Sequence, residues 1–307
     1  MNVAVLAEEL ETLPIEGIGY IAIPVADPAR AAEFYGLTLG YEAVGHNLLP
    51  HCGRHEVLRA GAGQWLVLVA QDERLDLRDS GVHHAFRVTR AQRDAVAAKL
   101  AAAGVEVLTY KEDRPAEAED NFYFFDPDGN RLQLVVSAAS GIDHTAIQSA
   151  DVLRGEIFYG NILGWPVEHR VGWRTGDYVR ARKWAAGEED MAPGTRRLDQ
   201  RYTVMVNRKT VARANMQLFF TAGASTFGVY LANKHYQEPP EEQSIGLPRT
   251  AFSLPQGGLE KVAQRLAANG QRFAGPVTHP AASPIHESLY VRDPSGNFLE
   301  FFTARRP

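Results

Sequence analysis

The sequence predicts an α+β fold of two domains, each a pair of βαβββ modules wrapped into a partly closed, barrel-like cup. Three observations predict it. A strand-then-helix pattern starting at Gly17 returns without a gap at Gly141, 124 residues later. A second strand-then-helix pattern, near residue 82, returns near residue 248. Each copy of this second pattern ends in the same hairpin, at an offset of 167 residues. Repeats of this kind carry fold information before any single motif does, because every copy is one supersecondary unit with the same face to bury.

The first pattern reads Gly17-Ile18-Gly19-Tyr20-Ile21-Ala22-Ile23, then Asp27, Phe34-Tyr35 and Leu39-Gly40-Tyr41. Its copy reads Gly141-Ile142-Asp143-His144-Thr145-Ala146-Ile147, then Asp151, Phe158-Tyr159 and Leu163-Gly164-Trp165. In each, a β-prone run meets an Asp suited to an N-cap, then a helix of about ten residues, then a glycine where a helix stops. The second pattern is the strand 82–88 with a helix at 91–103 closed by Gly104. Its copy is the strand 248–254 with a helix at 259–268 closed near Gly270. Val96 and Leu100, like Val262 and Leu266, have helical spacing. The units therefore run roughly 15–76, 80–137, 141–236 and 246–304, called modules 1 to 4 below. The segment 137–140 (Ser-Ala-Ala-Ser) separates an N-terminal domain, 1–137, from a C-terminal domain, 141–307. A single module leaves one sheet face open, so paired modules closing around a common cup are the natural solution.

The repeated hairpin is the chemically informative stretch. In residues 286–303 two apolar β-prone runs flank Asp293-Pro294-Ser295-Gly296-Asn297, a cluster of turn-formers. Glu300 stands between Leu299 and Phe301. A carboxylate buried there needs a cation, a hydrogen-bonding partner or a proton, unless the strand is an edge and the acid faces water. Strand alternation puts Phe298, Glu300 and Phe302 on one face. In the earlier copy Tyr123 aligns with Tyr290, and Gln133 with Glu300.

Composition narrows the function. The chain has 307 residues, 45% hydrophobic and 22% charged, with a net charge of -5 and a pI near 6.1. That balance argues against a nucleic-acid binder, which carries a basic footprint. No apolar run reaches the roughly 18 residues that span a bilayer. Residues 1–14 carry acids and lack the basic start of a secretion signal, and Cys52 is the only cysteine, so a cytoplasmic setting is expected. Nothing resembles a nucleophile elbow, a phosphate loop or a dinucleotide fingerprint.

These repeats and hairpins resemble the vicinal-oxygen-chelate superfamily of glyoxalases, fosfomycin- and bleomycin-resistance proteins and type I extradiol dioxygenases. Four modules in one chain are similar to the two-domain extradiol dioxygenases in particular. That resemblance implies a metal-free first domain. It implies a second domain holding Fe(II), or Mn(II), on two histidines and a glutamate, with a small aromatic diol as substrate and a homo-oligomeric assembly. Carried over, it makes His144 and Glu300 the metal ligands and Tyr290, ten residues before Glu300, the group that holds the substrate hydroxyl. His279 or His286 becomes the acid/base residue. Arg249, Thr250 and Phe302 border the substrate.

The departure from the family pattern is at Thr250, where the second metal histidine falls. Water, or one of His235, His279 and His286, then completes the site, or the metal is absent. His84 stands at the matching place in module 2 and reads as a satisfied strand histidine. His46, His51, Cys52 and His55 read as a solvated loop. An insertion at about 171–213 is rich in arginine, with Trp173, Tyr178, Trp184 and Tyr202 interleaved. It is expected to be a solvated excursion or subunit contact, or else a lid whose arginines pair with a substrate carboxylate.

The expected function is an extradiol-type ring-cleaving dioxygenase. One rival is a metal-independent or differently metallated isomerase, lyase or cyclase, in which Glu300 is a general base. A second rival is a non-catalytic binding or resistance protein.

Overall fold

The computed structural model describes residues 12–49, 51–72, 81–108, 120–149, 151–171, 217–231, 243 and 245–305. The 171–213 insertion beyond Val171, and His235, lie outside the described residues. Module 1 comprises β1 (Gly17–Val25), α1 (Pro28–Leu39), β2 (Glu42–His46), β3 (His55–Gly61) and β4 (Gln64–Ala70). Module 2 comprises β5 (His83–Val88), α2 (Arg90–Ala102), β6 (Asn121–Phe125) and β7 (Arg131–Val136). In module 3, β8 (Gly141–Ser149) is followed by α3 (Val152–Glu156), which runs on as a π-helical turn (Ile157–Ile162). After it come β9 (Val167–Val171), β10 (Gln217–Ala222) and β11 (Ser225–Leu231). Module 4 comprises β12 (Arg249–Leu254), α4 (Gly258–Ala268), β13 (Phe273–Thr278), β14 (Ile285–Arg292) and β15 (Phe298–Ala304).

Local chemistry places the helices as expected. The Asp27 carboxylate accepts from the backbone N–H of Ala29 at 3.0 Å, Pro28 opens α1, and Gly40 ends it with φ 74°. Thr89 and Gln92 form a reciprocal capping box on α2. Asp151 caps α3 through the Leu153 N–H.

The strands form two open sheets. One has eight strands in the order β13-β14-β15-β12-β1-β4-β3-β2, and the other seven in the order β6-β7-β5-β8-β11-β10-β9. Neither closes into a barrel, since the end strands of each order do not pair with each other.

These orders correct the expected partnership of modules. Module 1 joins module 4 through the antiparallel pair β1–β12, and module 2 joins module 3 through β5–β8. Each cup thus takes one module from either side of the 137–140 segment. The linker explains the choice. Residues 137–140 reach at most about 17 Å when extended, and β8 lies two strand spacings from β7, about 10 Å. The short link therefore suits a shared sheet for modules 2 and 3.

Modules 1 and 2 do meet, but back to back across the helical layer, and the repeated Asp-Pro turn makes the joint. The Asp126 carboxylate accepts from the backbone N–H groups of Asp128 and Asn130 and from the Tyr35 hydroxyl of α1 at 2.7 Å. Asn130 in turn donates to the Pro24 carbonyl of β1. Asp293 repeats this in modules 3 and 4, taking the Tyr159 hydroxyl at 2.9 Å, while Asn297 donates to the Gln148 carbonyl. The turn that announces the hairpin in the sequence is also an intermodule clasp. Asp293→Ala removes the acceptor of Tyr159, of the Asn297 amide and of two backbone N–H groups. It should cost about 3 kcal/mol of unfolding free energy in denaturant titration.

Candidate functional site

Hydrogen-bond register lines up one row of residues across each cup. In the eight-stranded sheet the row is Tyr290, Glu300, Ala251, Tyr20 and Trp65. In the seven-stranded sheet it is Tyr123, Gln133, Ala85, His144 and Thr226. The cups are therefore equivalent position by position: Glu300 answers to Gln133, and Tyr20 to His144. Two residues back along β12 and β5, on the same face, Arg249 answers to His83.

His144 and Glu300 consequently lie in different cups. The expectation that they share one metal is corrected, because the metal-type residues are divided between sheets assembled from different module pairs.

The cup of modules 1 and 4 has its own cation. Glu300 is 0% exposed, and one carboxylate oxygen lies 3.0 Å from Nε of Arg249, itself buried at 2%. The same oxygen accepts from the Tyr20 hydroxyl, and the other accepts from the Ser288 hydroxyl at 2.5 Å. Burial raises the Glu300 pKa, with Arg249 as the strongest opposing influence. Arg249 also donates to the Cys52 sulfur at 2.9 Å and lies over the Tyr290 ring, 5.3 Å from its centroid. Tyr290 faces Glu300 across β14 and β15, and Phe302 packs 5.6 Å from the Tyr20 ring.

His279 hydrogen-bonds Ser288 through Nε2 at 2.7 Å, and burial, then Arg249, pulls its pKa down to about 4. Of the two candidate acid/base histidines, only His279 joins this cluster. A register shift between Ile285 and Glu287 turns His286 outward, 42% exposed and near Glu287. Thr250 is on the opposite face of β12, between Ile21 and Leu299, so it does not border the cup.

The expected solvated loop is partly a plug. Leu49 and Cys52 are buried against Tyr20 and Ala251, and His55 holds the loop by accepting from the Leu49 N–H at 3.0 Å. This cup does not fit a metal: a guanidinium fills the cationic role, and both carboxylate oxygens are engaged.

The cup of modules 2 and 3 is different. His83 and His144 face each other edge to face, with their Nε2 atoms 3.0 Å apart. The Nδ1 of His144 donates to the Asp143 carboxylate at 2.6 Å, and that of His83 to the Gly81 carbonyl at 2.8 Å. A Cβ at Gly81 would stand 2.4 Å from the Tyr230 ring, so only glycine permits this approach. Burial holds His83 well below the ordinary histidine pKa, with His144 and Arg131 adding to the effect.

When Nδ1 carries the single ring proton on both histidines, both Nε2 atoms carry lone pairs. Two lone pairs at that distance repel unless a proton or a metal ion lies between them. A separation of 3.0 Å is also what adjacent corners of an octahedral centre give for metal–nitrogen bonds of about 2.1 Å. Gln133 lies in the same row, and its Oε1 is buried without a hydrogen-bond partner among the described residues. Among the described residues no group of three or more His, Cys, Asp or Glu side chains is placed to hold a metal. Two imidazoles and a carboxamide oxygen nevertheless fit a divalent cation.

Sequence reasoning missed His83. The doublet His83-His84 left the frame ambiguous by one residue, and one residue on a strand is the opposite face. His84 is a satisfied strand histidine, as expected, with Nδ1 2.7 Å from the Thr145 hydroxyl. One offset of 166 residues aligns His83 with Arg249 and His84 with Thr250 together, so the alignment did not say which of the two positions faces the cup.

Residues 17–134 match the family model described as the Glyoxalase/Bleomycin resistance protein/Dioxygenase superfamily. A metallothiol transferase, FosB, from Shouchella clausii is 26% identical over 129 residues, covering 39% of this chain and 80% of that one. Glyoxalase I from Zea mays superposes with a TM-score of 0.57 at 14% identity, covering 93% of this chain and 92% of its own. A Bacillus subtilis protein, named only provisionally as a dioxygenase, gives 0.60 at 13% identity, covering 95% and 86%. At these identities the two structural likenesses speak for the fold alone. No helix among the described residues is long and apolar enough to cross a membrane. The family match thus covers modules 1 and 2, and over nearly its whole length the chain, with its two sheets of two modules each, shares the fold of these glyoxalase-like structures.

Proposed function

We propose that this protein is a metal-dependent small-molecule enzyme whose centre is the cup of modules 2 and 3. One observation carries the reading: two imidazole Nε2 atoms 3.0 Å apart, with both Nδ1 atoms already engaged. His83, His144 and Gln133 would hold a divalent cation there. Such a cation, when bound, polarises two neighbouring oxygens of a substrate and leaves positions open for it. The protein's own groups supply the rest. Tyr123 and Tyr230 flank His83, with ring centroids at 5.4 and 5.8 Å, and form an aromatic wall against which a flat ring can lie. We place an aromatic diol first as the substrate and oxidative ring cleavage first as the reaction, with Fe(II) as the cation that reaction uses.

The carboxamide in place of a carboxylate favours one rival. In it His144, aligned by Asp143, moves a proton without any metal. Glu300 does not serve as the general base of such a reaction, since its two oxygens already accept from the Tyr20 and Ser288 hydroxyls and one is ion-paired with Arg249.

Anaerobic purification, metal titration and a catechol panel under air test the proposal. Stoichiometric binding lost in His83→Ala, with turnover abolished by a chelator, supports it. Turnover that survives the chelator supports the proton-transfer rival, and tight ligand binding without turnover supports a binding protein. Gln133→Glu restores a charged ligand, so it should tighten Fe(II) binding on the order of ten-fold. A change of less than two-fold in calorimetric titration would remove Gln133 from the centre.

A further inference from the structure

We propose that Asp143, clamped by Arg87, is the positioning residue of the module 2–module 3 cup. It holds His144 with its proton on Nδ1, so that Nε2 faces His83 as a lone-pair donor. The inference rests on that cup being the working site.

Neighbours on a regular strand point to opposite faces, so Asp143 should not reach His144. It does because β8 is irregular there. His144 pairs with Ala85 and Ile142 with Phe86, leaving Asp143 as the extra residue between two register positions. A bulge of this kind re-aims one side chain and is a common neighbour of functional groups. One carboxylate oxygen then takes the His144 Nδ1 proton at 2.6 Å, and the other takes Nε–H of Arg87 at 2.7 Å. Both oxygens are fixed, and with them the plane of the imidazole. A carboxylate behind a ligating imidazole sets its tautomer and raises its basicity.

The second cup is an internal control. It has the same irregularity in β1, between Ile18 and Tyr20, so the residue matching Asp143 is Gly19. A Cβ on Gly19 would stand 2.3 Å from the Phe302 ring, so no side chain fits there. Arg87 is matched by Ser253, through the equivalence of Arg87 with Gly141 and Ser253 with Gly17. The cup that carries Tyr20 and an internal guanidinium thus lacks the clamp. The cup that carries the paired imidazoles has it.

Long-range proton–nitrogen NMR of the histidine rings in the apo protein reads the tautomer directly, and zinc titration reads affinity. Wild type should show His144 protonated on Nδ1. Asp143→Ala should move the proton towards Nε2 and weaken zinc binding by about 10- to 100-fold. Asp143→Asn, which keeps an acceptor oxygen, should hold the tautomer and weaken zinc binding less. An unchanged Nδ1 tautomer in Asp143→Ala, with zinc affinity within two-fold of wild type, overturns the proposal. A shifted tautomer in a protein whose wild type binds no zinc supports the positioning role and removes the metal reading instead. Should Asp143→Ala fail to fold, Arg87→Met takes its place, and an unchanged tautomer and affinity there overturn the clamp.

Discussion

His83→Ala and His144→Ala should each weaken divalent-metal binding by at least about a hundred-fold, taking a structural zinc site's 10–16 kcal/mol as shared among its four ligands. Activity should fall with it. The loss follows from geometry: each ring supplies one of the two nitrogens that face each other at 3.0 Å, and the described residues offer no third imidazole there. His83 is the sharper test, because it is the residue whose neighbour, His84, has the same chemistry and the opposite orientation. His84→Asn should leave metal affinity unchanged, since His84 bonds Thr145 rather than facing His144. Calorimetric titration of the three variants decides the matter. Equal losses for His83 and His84 would show that the site is not organised by the face of β5, and the assignment would fall.

Glu300→Gln should destabilise the protein by about 3–5 kcal/mol without altering metal affinity in the other cup. The buried guanidinium of Arg249 would lose its countercharge, and the Tyr20 hydroxyl would lose its anionic acceptor. Breaking a buried pair on one side costs far more than replacing both sides, because the survivor remains charged in a low-dielectric setting. Replacing Glu300 and Arg249 together by methionine should therefore recover most of the lost stability. Denaturant unfolding with parallel zinc titration separates the possibilities. A stable Glu300→Gln protein with impaired metal binding would return Glu300 to the metal centre, against its placement here. The two sets of variants should thus dissociate, one changing ligation and the other changing stability.

Much of this was legible in the chain. The two repeat offsets announce four modules, and the Asp caps, stop glycines and Asp-Pro turns place their helices and hairpins, because these signals act over a few residues. Glu300 announced itself as a buried acid needing a partner, and His144 as a candidate ligand. The partner of each could not be read, since the first strands resemble one another in pairs, β1 with β8 and β5 with β12. A strand such as β1 can pair with β5 or with β12 on equal local terms. The one-residue frame of His83-His84 was equally undetermined, because alternation says only that neighbours point apart, not which one points inward.

The sequence by itself determined the module, its repetition, and the residue types that a cup can present. Only the tertiary structure decided which modules share a sheet, and hence that Glu300 meets Arg249 while His144 meets His83. Local propensity is a property of short segments, whereas partnership between distant strands depends on the whole chain closing at once. Here the four-residue link 137–140 and the back-to-back clasps at Asp126 and Asp293 suit a single arrangement of sheets.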